Sequence, residues 1–120
     1  MLMRRPPGGF SQDAQGVTHV TLAAACEWLF ADCAPEVAAW AAQRVRGQAW
    51  AITSEVSPLE VWPDVPRTSF VGVHDRVVNP SWSRRAAIAL LGVSAVELDE
   101  GHSPFLANPA GFAETLLDLC

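Results

Sequence analysis

Hydrophobic and polar positions change rhythm along this chain, and the changes divide it. "TLAAACEWLFADC" (21–33) is Ala-rich and closes on Trp28, Leu29 and Phe30, which predicts a short helix. "APEVAAWAAQRVRGQ" (34–48) predicts a longer one. Pro35 suits a first turn, Glu36 complements the positive end, and Arg44 and Arg46 complement the negative end before Gly47. Val37, Trp40, Ala41 and Val45 fall on one face of it. Residues 49–66 hold three prolines and predict a looping connector. The pattern then turns β-branched and aromatic. "RTSFVGV" (67–73) predicts a strand, "PSWSRRAAIALLG" (80–92) a helix from Pro80 to Gly92, and "SAVELD" (94–99) a second strand. "PAGFAETLLDL" (109–119) predicts a last helix with Phe112, Leu116 and Leu119 on one face. This order implies a parallel βαβ unit with a right-handed crossover. Residues 1–16 carry Pro-Pro and Gly-Gly without a period and read as an irregular arm. The expected organisation is that arm, a helical segment with its connector over 17–62, and a βαβα unit over 63–120.

Composition narrows the function classes. With 120 residues, half of them hydrophobic, the chain is one ordinary domain that can bury a core. Its net charge is −5, and its eight basic residues are all Arg, six of them in the short pairs Arg4–Arg5, Arg44–Arg46 and Arg84–Arg85. That excludes nucleic acid as the main partner. No segment is apolar enough to span a membrane, and "MLMRRPP" leads into no apolar stretch, so no secretion signal is expected. Cys26, Cys33 and Cys120 lack CxxC spacing and suit a reducing cytoplasm. His19, Cys26 and Cys33 recur every seven residues but match no common zinc site, and buried small residues on helical surfaces explain them better. No metal or cofactor is expected.

Two residues stand where chemistry collects in open parallel sheets, at the carboxyl ends of the strands. Asp75 follows the first predicted strand in "VGVHDRVVNP", and His102 follows the second in "ELDEGHSPFLANP". A carboxylate there can accept from one imidazole nitrogen, fixing the tautomer while the other nitrogen takes a proton from a nucleophile. Singly, Asp75 reads as a turn residue and His102 as an exposed loop histidine. At matched positions in one βαβ unit, they favour function.

From about residue 24 to 120 the chain resembles the C-terminal half of an α/β-hydrolase, most of all the small esterase branch with methylesterases and hydroxynitrile lyases. "FVGVHDRVVNP" is similar to the family's acid strand and loop, and "ELDEGHSPFLANPAGFAETL" to its last strand, Gly-His loop and last helix. The resemblance makes Asp75 the triad acid and His102 the base. "LFADCAPEVAAWAAQRVRGQ" resembles the cap inserted before the acid strand, so Trp28, Phe30 and Trp40 are expected to line or brace the pocket roof, or to be ordinary packing. The fold class implied is α/β: a partial α/β-hydrolase fold with two parallel C-terminal strands, flanking helices and a helical cap segment.

The family's nucleophile stands in Gly-x-Ser-x-Gly, before the acid and the base. This chain is expected to begin too late to contain it. Ser94 in "GVSAV" has Val96 in place of the second Gly and lies between a helix and a strand, the reverse of the elbow. Ser69 and Ser81 lack elbow glycines, and Ser103 adjoins His102 too closely. "PPGGF" (6–10) is similar to a Gly-rich oxyanion loop, but no strand precedes it. The chain alone is therefore expected to be inactive, acting on a small ester only within a complete enzyme. The alternative is a non-catalytic interaction module, or one half of a split enzyme that dimerises or pairs with an N-terminal half.

Overall fold

Two sheets organise residues 8–119, the part of the chain that the computed structural model describes. The first is antiparallel and joins β1 (Phe10–Gln12), β2 (Val17–Val20) and β3 (Gln48–Ala49) in that order. Phe10 lies opposite Val20, and Val17 opposite Ala49. Asp13 makes the β1–β2 turn: its Oδ1 accepts from the backbone N–H of Gln15 (3.0 Å) and of Val17 (2.9 Å), and Gly16 takes the left-handed φ of 78°. The irregular arm expected over 1–16 is thus corrected at residues 10–12, and residues 1–7 lie outside the described residues. The helical segment expected over 17–62 also contains strands. Three-residue strands such as Phe10-Ser11-Gln12 are too short to display an alternation.

Between β2 and β3, α1 (Leu22–Ala24) starts at Thr21, whose Oγ1 accepts from Ala24 N–H at 3.2 Å, and continues as a π-helical stretch, Ala25–Leu29. Helix α2 (Pro35–Ala42) ends well before residue 48. The Arg44 guanidinium turns back over the Trp40 ring at 4.3 Å and donates to the Trp40 carbonyl at 2.9 Å, while Arg44 and Val45 N–H groups reach only three residues back. The last turn tightens and stops. The buried face overlaps the predicted one at Ala41 but does not include Trp40. Ala38, Ala41 and Ala42 face inward onto Ala25 and Phe30, and Trp40 is 52% exposed.

The second sheet is the predicted parallel pair, β4 (Phe70–Gly72) and β5 (Val96–Leu98), with Phe70 opposite Val96 and Gly72 opposite Leu98. The crossover is α3 (Pro80–Ala86), extended by a π-helical stretch, Ala87–Leu91. Asn79 caps it by accepting from Ser81 and Trp82 N–H, and Gly92 ends it at φ 69°. Val71, Leu98 and Ala87 are buried along this unit. Two further helices, α4 (Pro104–Ala107) and α5 (Pro109–Leu117), follow β5. Phe112 packs edge-on against Phe70 at 5.6 Å, while Leu116 and Leu119 stay largely exposed. Both edges of this two-stranded sheet are open among the described residues. Several large apolar side chains face solvent, including Val56, Val61 and Leu117.

Candidate active site

The parallel ladder carries on past the ends of its strands. Val73 N–H donates to the Leu98 carbonyl (2.9 Å) and His74 N–H to the Glu100 carbonyl (3.1 Å), so the two loops are laced together. Asp75 N–H closes a tight turn on the Gly72 carbonyl at 3.2 Å. Its side chain serves two purposes through two oxygens. Oδ1 accepts from the N–H of Val77 (2.7 Å) and Val78 (2.9 Å), shaping the loop. Oδ2 faces His102 Nδ1 at 3.0 Å. The turn-forming and histidine-pairing readings of Asp75 are therefore both realised. The Asp75 side chain is 14% exposed and that of His102 30%.

Burial pushes the Asp75 carboxyl up, but hydrogen bonds from His102, Val78 and Val77, with the His102 charge, outweigh it and hold the group below its ordinary value. Asp75 is thus an anion at neutral pH. A carboxylate has no proton to give, so Nδ1 carries the hydrogen of this bond, and in the neutral ring Nε2 is the bare nitrogen. The sign of the pH effect follows. A depressed folded value means that this contribution to stability is whole above the ordinary carboxylate range and is lost as pH falls through the folded value. The melting difference between the chain and Asp75→Asn should shrink below about pH 4, as the Asp75 carboxyl takes up its proton. A difference that stays undiminished there would contradict the pairing.

His102 borders a cavity of about 310 Å³ whose walls include Val20, Leu29, Val45, Arg46 and Val77. The cap aromatics expected at its roof are not among its lining. Phe30 is buried in the helical core and Trp40 points outward, while Leu29, between Trp28 and Phe30, reaches the cavity. The π-helical stretch shifts the facing of successive residues there, which a 3.6-residue period does not anticipate. A separate cavity of about 210 Å³ against Phe10, Gln12 and Trp50 includes neither Asp75 nor His102.

The other histidines are paired as well. His19 Nε2 meets Asp13 Oδ2 at 2.9 Å, and His74 Nε2 meets Asp99 Oδ1 at 2.8 Å, both near the surface. Neither pair was signalled by sequence spacing. Cys26 and Cys33 are free thiols packed against the helical core, and burial, then the Asp32 charge, pushes the Cys33 thiol up. Cys120 lies outside the described residues. Among the described residues no three His, Cys, Asp or Glu gather as a metal set. Of the four serines weighed as nucleophiles, Ser103 is buried, Ser69 half-buried, and Ser81 and Ser94 exposed, and the side-chain partner of His102 is Asp75.

A parallel βαβ unit with a carboxylate and an imidazole at the carboxyl ends of its strands is an α/β arrangement. A family model described as "Alpha/beta hydrolase family" matches residues 2–115, and the chain belongs to that family. The match takes in the β1–β2 hairpin, which the resemblance from residue 24 onward left out. No curated protein and no solved structure matches the chain. No helix among the described residues is long and apolar enough to cross a membrane.

Proposed function

We propose that this chain carries the acid and base of a serine esterase of the small methylesterase and hydroxynitrile-lyase branch, with the nucleophile outside these 120 residues. The observation that carries this reading is the 3.0 Å approach of Asp75 Oδ2 to His102 Nδ1 at the border of an apolar-walled cavity. Asp75 orients His102 and supports its cation. As a serine oxygen attacks the ester carbonyl carbon, Nε2 takes the hydroxyl proton, then gives it to the departing alcohol. Water attacks the acyl-enzyme, its proton passing to Nε2 and back to the serine, and the carboxylic acid leaves. Val20, Leu29, Val45 and Val77 suit a small, apolar ester. The free Cys26 and Cys33 support a cytoplasmic location.

The open sheet edges and solvent-facing Val56, Val61 and Leu117 favour association with a serine-bearing half or a second copy over a chain that acts by itself. The first test is chemical. The purified chain should hydrolyse p-nitrophenyl acetate no faster than its His102→Ala variant, because on this reading the nucleophile and the oxyanion donors that stabilise the developing charge are supplied from outside these residues. Saturable activity blocked by serine reagents would overturn this, and alanine replacement of Ser69, Ser81, Ser94 and Ser103 in turn would find the nucleophile.

A further inference from the structure

Residues 27–32, from the π-helical stretch into the turn before α2, touch both loops of the pair. Arg76, next to Asp75, donates through Nη1 to the Glu27 carbonyl at 3.2 Å. Asp32 accepts the Gly101 backbone N–H on Oδ2 at 2.5 Å, across 69 residues of sequence. Gly101 immediately precedes His102 and is buried, and its N–H donates to Asp32. A buried N–H without a partner is costly, so the carboxylate determines where this peptide rests. The fit is close on both sides. A Cβ on Gly101 would meet Asp32 Oδ1 at 2.7 Å, and a Cβ on Gly72 would run into the Gly101 carbonyl. Gly101 is clamped between the end of β4 and the Asp32 carboxylate.

We propose that Asp32 is a positioning residue: its carboxylate holds the Gly101 peptide so that the His102 ring meets Asp75 through Nδ1. This rests on the reading of Asp75 and His102 as acid and base. Asp32 touches no reacting atom and acts through the backbone of the base loop. It also makes competence of the pair depend on the seating of the segment over 27–32, because the same short stretch anchors the acid loop through Arg76.

The test reads the histidine tautomer of the 120-residue chain by two-dimensional proton–nitrogen NMR of the imidazole at neutral pH. His102 should show the Nδ1–H form, which an Asp75 acceptor imposes, in place of the Nε2–H form that free imidazole side chains favour. Asp32→Ala should return His102 largely to the Nε2–H form, while Asp32→Asn, which keeps an acceptor oxygen, should retain Nδ1–H. A merely structural role would leave the tautomer unchanged in every folded variant. Asp32→Ala with an undisturbed Nδ1–H form would overturn the positioning role and leave the acid–base reading standing. A parent chain already matching Asp75→Asn would overturn both. Should Asp32→Ala fail to fold, the parent chain decides through Gly101 amide exchange. Strong protection of the Gly101 amide supports the tether, and exchange as fast as that of an open loop amide overturns it.

Discussion

His102→Ala should lower kcat on the order of 10⁶-fold, and Asp75→Asn on the order of 10⁴-fold, once the chain is joined to or mixed with the serine-bearing part of an α/β-hydrolase. The two losses differ for a reason visible in the site. On the proposed mechanism, removing the imidazole removes the group that takes the proton of the attacking hydroxyl. Asp75→Asn keeps an oxygen for the Val77 and Val78 N–H groups, so the loop survives. What changes is the partner of Nδ1, at 3.0 Å from Oδ2 in the parent chain. A neutral amide no longer compels Nδ1 to carry the hydrogen, nor supports the imidazolium. The decisive measurement is kcat on p-nitrophenyl acetate for parent and variants under one condition. An Asp75→Asn enzyme within tenfold of the parent would remove Asp75 from the mechanism.

Gly72→Ala should destabilise the chain by about 3 kcal/mol, near the upper end of the usual cost of overpacking. A Cβ there would collide with the Gly101 carbonyl and lie 2.8 Å from the Glu100 carbonyl oxygen. Both obstacles are backbone, so no rotamer change relieves them. The ends of β4 and β5 would have to part, and they are the ends that bring Asp75 to His102. The comparison is Gly92→Ala, where a Cβ meets nothing within 4 Å but φ is 69°. That variant should cost only about 1–2 kcal/mol, the strain of a left-handed alanine. Urea midpoints of the two variants measure the contrast. Equal midpoints would show that the two loops separate without cost.

Residue types at strand ends were readable because they depend on local pattern. Phe70 to Gly72 and Val96 to Leu98 are β-rich stretches flanking a helix with clear start and stop residues, Pro80 and Gly92. The placement of Asp75 near His102 follows from that topology. The hairpin was not readable, since Phe10-Ser11-Gln12 has no periodic pattern and its turn is made by one Asp side chain. Of the two expectations for the cap aromatics, ordinary packing describes Phe30, while Leu29 reaches the cavity from the π-helical stretch Ala25–Leu29. Asp32 was invisible for another reason: its partner is a backbone N–H 69 residues away, and no residue type marks such a contact.

The helical core is built mainly from alanines: Ala25, Ala38, Ala41 and Ala42 around the single ring of Phe30. An alanine has no side-chain torsion to freeze, so these positions enter the interior with almost no loss of rotamer entropy. They also remove little apolar area from water. Order in this segment is therefore gained at low entropic cost and held by a correspondingly small driving force, and the backbone dominates the entropy that must be given up.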